Sequence, residues 1–185
     1  MRYHNITKDD MLNGEGLRTV LWVSGCNHYC KGCQNPSTWD PNDGVIFDEE
    51  AKKELWNYID EDYCSGLTLS GGDPMYPRNR DAIYCLCKEF RERYGWGEKT
   101  IWMYTGYSIH ELGGIPALNY IDVIVDGPFE EDKKNVKYMW AGSENQGIWR
   151  RVKGFGDFRF WMRDPPAWSD DIEDKNQKGD CGCGF

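Results

Sequence analysis

No apolar run in this 185-residue chain approaches the ~20 residues needed to cross a bilayer, so a membrane span is not expected. The opening stretch MRYHNITKDD carries two acidic residues and no hydrophobic centre, so neither a secretory signal nor a transit peptide is expected there. Basic charge is also scarce: 22 Lys and Arg stand against 31 Asp and Glu, for a formal net charge of -9. The pI is near 4.8. Nucleic-acid binding rests on clustered cations that neutralise phosphates, and such clusters are missing. Only three histidines occur, and none stands in a visible arrangement with an acid and a nucleophile. Internal repeats are absent. The chain is also shorter than the ~200 residues that a closed eight-stranded βα barrel usually needs. Cysteine, in contrast, is plentiful, with eight residues. Without an export signal they are read in a reducing, cytoplasmic setting, where a tight cysteine cluster binds metal more often than it forms disulfides.

Short β-rich runs alternate with helical patterns, which predicts an α/β protein with a mostly parallel sheet. The strand candidates are Thr19–Ser24, Gly66–Ser70, Thr100–Tyr104, Tyr120–Asp126 and Phe158–Met162. One helix is expected after Asp48 as N-cap, with Ala51, Leu55, Tyr58 and Ile59 on one face. A second carries Ala82, Ile83, Leu86, Cys87, Phe90 and Tyr94 and stops at Gly95. Ser108–Leu112 reads as a short helical stretch. The architecture is then an open, partial βα barrel or a doubly wound sheet. Residues 1–163 form the expected domain, and the acidic, Pro- and Gly-rich tail 164–185, with Cys181 and Cys183, is expected to be poorly ordered.

Cys26, Cys30 and Cys33 form Cys-x3-Cys-x2-Cys directly after the first strand candidate. Three thiolates can hold three irons of a 4Fe–4S cluster and leave the fourth iron open for a ligand, whereas a closed cluster takes four. The same spacing suits a structural zinc completed by His28, Cys64 or a tail cysteine. SGGDP (Ser70 to Pro74) follows the second strand candidate, at the carboxyl end where α/β sheets place ligands. Gly71 and Gly72 permit close backbone approach and Asp73 can accept from an ammonium, although a plain tight turn has the same sequence. Thr105 or Tyr104 could line that pocket or simply pack in the core. Asp126 is a candidate for the polar end of a cofactor, for a loop N–H, or for the turn before Gly127. Asn145 and Gln146 are cofactor, partner or turn amides, and Cys64, Cys85 and Cys87 read as small core residues.

The cysteine motif resembles the hallmark of the radical S-adenosylmethionine superfamily. More narrowly, Asn13 to Asp40 (NGEGLRTVLWVSGCNHYCKGCQNPSTWD) is similar to the activating proteins of anaerobic ribonucleotide reductases. LSGGDP, WMYTGY, VDGPF and GSENQ follow in the family's order, so that the likeness covers roughly residues 1 to 150. Many radical enzymes place an aromatic residue before the third cysteine. Here Gly32 stands there, as is usual in the narrower family.

The resemblance implies a partial (βα) barrel, a [4Fe-4S] cluster on Cys26, Cys30 and Cys33, and S-adenosylmethionine as cofactor. Gly71, Gly72 and Asp73 would then hold the methionine amino group, and adenine would lean on the backbone of Gly32, Cys33 and Gln34. It further implies that an electron cleaves the cofactor to methionine and a 5′-deoxyadenosyl radical, which takes hydrogen from a backbone glycine of the reductase large subunit. A flavodoxin- or ferredoxin-type protein would supply the electron. The alternatives are activation of another glycyl-radical enzyme, such as a formate lyase, and a zinc-binding module without catalysis.

Overall fold

In the computed structural model, residues 1–152 and 157–162 are described. The tail expectation, including Cys181 and Cys183, therefore lies outside the described residues. The chain is mixed α/β with one eight-stranded sheet: β1 (Arg2–Asp10), β2 (Leu17–Val23), β3 (Val45–Ile46), β4 (Cys64–Gly71), β5 (Thr100–Tyr104), β6 (Val123–Asp126), β7 (Gly147–Arg151) and β8 (Phe158–Met162). The order across the sheet is β3-β1-β2-β4-β5-β6-β7-β8. Its centre, β2-β4-β5-β6, is parallel, and the pairings on either flank are antiparallel. The parallel expectation thus holds for the centre and fails at the flanks.

Two helices cross between parallel strands, α1 (Glu49–Ile59) and α2 (Arg80–Tyr94). Helix α1 begins where expected because Asp48 Oδ1 accepts from the N–H groups of Glu50 (3.1 Å) and Ala51 (3.0 Å), satisfying two orphan donors. Asp48→Ala should cost about 1 kcal/mol in thermal or denaturant unfolding, the usual worth of such a cap. Unchanged stability would mean that water serves these donors equally well. Helix α2 stops at Gly95, whose φ of 62° lies in the left-handed region that glycine tolerates.

Both helices pack in one core cluster with Leu21, Val23, Leu67, Leu69, Ile101, Met103 and Ile124. These alternate strand positions mark a single face of the sheet. The doubly wound alternative, with helices on both faces, is therefore not what forms. Intervening positions supply a second cluster, Trp102, Val123, Val125 and Ile148, with Tyr104, Trp140 and Trp161 packed against it.

Arg18 lies fully buried among these intervening positions. It donates to Thr68 Oγ1, Leu67 O, Thr100 O, Thr100 Oγ1 and Glu15 O, which ties β2 to β4 and β5. Burial lowers its pKa to about 10, and it stays charged at neutral pH.

Several expectations are corrected here. β1, β3 and β7 were not expected. β1 buries only Ile6 and β7 is rich in arginine, so neither shows the apolar alternation of a half-buried strand. Ser108–Leu112 is a set of turns rather than a helix. The strand expected from Tyr120 starts at Val123, because Pro116–Tyr120 is a 3-10 helix and Asp122 caps the Ile101 N–H at 2.6 Å. Cys64 and Cys87 are buried as expected, but Cys85 is exposed on α2. No helix among the described residues is long and apolar enough to cross a membrane.

Candidate functional site

A cavity of about 1240 Å³ runs from the connection between β1 and β2 (Asp10 to Leu17) past Trp22, Ser70 and Tyr104 to the carboxyl ends of the parallel strands, where the loops after β2, β4 and β5 meet. Cys26, Cys30, Cys33, Gln34, Gly71, Gly72, Asp73, Tyr104 and Thr105 all line it. The loop after β2 is shaped by main-chain bonds. Gly25 N–H donates to Thr38 O (2.8 Å) and Cys26 N–H to Trp39 O (3.0 Å), so the turn around Pro36–Thr38 holds the loop from outside. Within the loop, Cys33 N–H reaches Cys30 O at 3.1 Å. Gly32 has φ 71°, and a Cβ there would meet Glu131 Oε1 at 2.8 Å. Gly32 therefore serves the turn between two cysteines, and it does not line the cavity.

The three motif cysteines are half-buried. Burial pushes the Cys26 thiol up to about 11 and raises that of Cys30. Asn35 N–H donates to Cys33 Sγ at 3.3 Å. Left alone, burial favours the neutral thiol of Cys26. A bound cation reverses that preference and releases protons as the thiolates form.

The SGGDP turn packs directly beneath this loop. Gly72 N–H donates to Val23 O (2.7 Å) and Asp73 N–H to Gly25 O (2.8 Å). A Cβ on Gly71 would lie 2.7 Å from Val23 N, and one on Gly72 would lie 2.5 Å from Gly25 O. These glycines are thus required first by the approach of protein backbone.

The Asp73 side chain, 1% exposed, is already surrounded by protein donors. Its Oδ1 accepts from Met75 N–H (2.7 Å) and Thr105 Oγ1 (2.9 Å), and its Oδ2 from Gly106 N–H (2.9 Å) and His28 Nε2 (2.8 Å). Four protein donors thus surround the carboxylate for which an ammonium was expected, so a ligand there would share it with them. Sequence reasoning also missed its pairing with His28, having found no acid for any histidine. The two residues lie 45 positions apart, and no local pattern joins them.

Asp126 does not line the cavity. It is out of phase with Val125 on β6, and the alternation of a strand turns its carboxylate the other way. It accepts from Ile109 N–H (2.7 Å), Gly147 N–H (3.1 Å) and Trp149 Nε1 (2.8 Å). Of its alternatives, the loop N–H is the one realised. Gln146 does line the cavity, yet its Oε1 accepts from Gly142 and Ser143 N–H and its Nε2 donates to Gly127 O. Asn145 Nδ2 donates to Pro128 O at 2.7 Å. The GSENQ turn thereby holds the segment after β6 in place. Tyr104 differs from these: it lines the cavity, and its buried hydroxyl has no partner among the described residues.

A zinc site completed by Cys64 is excluded by position. Cys64 opens β4 opposite Leu17, at the end of the sheet away from the cysteine loop. Ligand atoms of Cys26, His28 and Asp73 do lie within 4.8 Å of one another, close enough to surround one ion.

Comparison with known proteins separates these chemistries. Residues 12–149 match the family model described as a 4Fe-4S single cluster domain. The chain is 42% identical over 154 residues to the anaerobic ribonucleoside-triphosphate reductase-activating protein of Enterobacteria phage T4, covering 83% of this chain and 97% of the relative. The proteins of that name from Pasteurella multocida and Escherichia coli K12 are each 39% identical, over 156 and 152 residues, covering 81% and 80% of this chain and 98% and 97% of theirs. With the cysteine loop at the mouth of a cavity built by the same matched residues, the chain belongs to the family of anaerobic ribonucleoside-triphosphate reductase-activating proteins.

Proposed function

We propose that this chain is a radical S-adenosylmethionine enzyme that installs a glycyl radical on the large subunit of an anaerobic ribonucleotide reductase. The observation that carries the reading is the convergence of three half-buried cysteines and the SGGDP turn on one cavity of about 1240 Å³. The donor set fits the group. Cys26, Cys30 and Cys33 supply three thiolates, enough for three irons and no more, so a ligand can take the fourth. When bound, the cluster and S-adenosylmethionine supply one-electron cleavage of the sulfonium and hydrogen abstraction from the partner's glycine.

The chain's own residues bind, orient and exclude solvent. The Cys26 to Cys33 loop would hold the metal, and the backbone of Gly71 and Gly72 would face the methionine end. Gln34 and Cys33 would border the adenine, with Gly32 shaping their turn. Tyr104 offers a free hydroxyl to the cofactor's polar groups, while Asp73, Thr105 and Asp126 keep the surrounding turns in place. The helices covering one sheet face, with the cavity along the other, support a partial-barrel reading of the fold.

The same proposal makes residues 1–163 the activase domain and residues 164–185 dispensable for chemistry. A flavodoxin- or ferredoxin-type protein is the proposed electron donor, in a cytoplasmic setting. The test is anaerobic reconstitution with iron and sulfide, followed by an assay for 5′-deoxyadenosine with a chemical reductant. Four irons per chain and reductant-dependent 5′-deoxyadenosine are expected. A colourless zinc protein that leaves S-adenosylmethionine intact would end the reading.

A further inference from the structure

His28 stands inside the cysteine motif, between Cys26 and Cys30, yet its side chain turns away from solvent and is only 17% exposed. Its Nε2 lies 2.8 Å from Asp73 Oδ2, and because a carboxylate only accepts, the imidazole donates. The ring also meets Tyr107 edge-on, with centroids 4.6 Å apart and planes at 74°. Neighbouring Asn27 takes part in the same contact, its Oδ1 accepting from Tyr107 Oη at 3.0 Å. Gly106 completes the fit: a Cβ there would stand 2.4 Å from His28 Cδ2, so only glycine lets the turn after β5 close against the ring.

Asp73 is the other half of the device. It lies at the heart of the SGGDP turn and receives Thr105 Oγ1 and Gly106 N–H together with His28. One buried carboxylate therefore ties together the cysteine loop, the glycine turn and the turn after β5. Among the described residues the main chain joins the glycine turn to the segment leading into the cysteine loop through Gly72 N–H to Val23 O and Asp73 N–H to Gly25 O, both before the first cysteine. Past Cys26, the His28 side chain supplies the hydrogen bond found among the described residues between the cysteine motif and the glycine turn.

We propose that His28 is a positioning residue that sets the cysteine loop against the cofactor-binding turns, so that metal and S-adenosylmethionine meet in register. This rests on the function proposed above. It asks nothing of His28 as a metal ligand or proton donor, since its one donated bond goes to Asp73. Residues that orient ligands from behind typically change affinity or activity by about 10- to 100-fold when removed.

The test uses the full chain, reconstituted anaerobically, as wild type, His28→Ala, His28→Gln and Gly106→Ala. Iron per chain, the EPR spectrum of the reduced cluster and its change on titration with S-adenosylmethionine are read for each. His28→Ala and Gly106→Ala are expected to keep wild-type iron and to weaken cofactor affinity by about tenfold or more. His28→Gln, whose amide can donate to Asp73, should recover much of that loss. Gly106→Ala displaces the ring while leaving His28 present, which keeps the test decisive if His28→Ala folds poorly. Unchanged cofactor affinity in both alanine variants overturns the proposal. So does a fall in iron that parallels the loss of affinity and is not recovered by glutamine, because His28 would then merely support the loop. A wild-type protein that holds four irons but gives no spectral response to S-adenosylmethionine would instead overturn the proposed function, and this inference with it.

Discussion

Alanine in place of Cys26, Cys30 or Cys33, one at a time, should take 5′-deoxyadenosine formation to background and leave the chain folded. Each thiol lies half-buried on a loop at the mouth of the cavity, so truncation removes little packed surface. The expected stability loss is about 1 kcal/mol, the common size for a single substitution. Two thiolates cannot replace three around a cluster whose fourth iron must stay free for the cofactor. Cys64→Ala is the contrast. Its sulfur lies 3.5 Å from Gly66 O at the far end of β4, so it should lose some stability while keeping full iron and activity. Iron and sulfide analysis, a melting curve and the 5′-deoxyadenosine assay together decide the matter. Normal turnover in any of the three motif variants would break the assignment of the cluster. Unfolding of all three, with zinc as the bound metal, would favour a structural site.

Gly72→Val should be nearly as damaging, for a reason visible only in three dimensions. From the SGGDP sequence one expects a branched side chain to crowd the cofactor's methionine end and leave the metal alone. In the fold, the first added carbon would lie 2.5 Å from Gly25 O and 2.8 Å from Thr38 O, both main-chain atoms that cannot swing aside. Gly25 adjoins Cys26, and Thr38 is what Gly25 hydrogen-bonds. Relief therefore requires the cysteine loop itself to move. Overpacking of this kind costs about 1–3 kcal/mol or more. The expected result is reduced iron per chain together with weakened cofactor binding. Full iron with a selective loss of cofactor affinity would support the simpler crowding picture, and no change in either would make SGGDP an ordinary turn.

What could be read in advance follows from the range over which each signal acts. Helix α1 and its Asp48 cap, α2 with its stop at Gly95, and the strands of the parallel centre rest on neighbours a few residues apart, and they formed close to where expected. The cysteine spacing is likewise local, since eight residues of loop must wrap one compact group. β1 and β7 were illegible because they are partly exposed and their polar residues carry no alternation. Their strand character comes from antiparallel pairing, of β1 with β2 and β3 and of β7 with β6 and β8.

The sequence by itself determined the class of fold, the cysteine loop and, through ordered motifs, the family. Only the tertiary structure decided what the polar residues of those motifs do. Asp73 and Asp126 both look like ligands for a cofactor, yet the first is taken up by His28, Thr105, Gly106 and Met75, and the second turns away from the cavity onto Ile109, Gly147 and Trp149. Tyr104, which the sequence leaves open between pocket and core, lines the cavity and keeps a buried hydroxyl without a partner among the described residues. For the two aspartates the physical reason is that a buried carboxylate is satisfied by whatever the fold brings to it, and those partners stand up to 45 residues away along the chain.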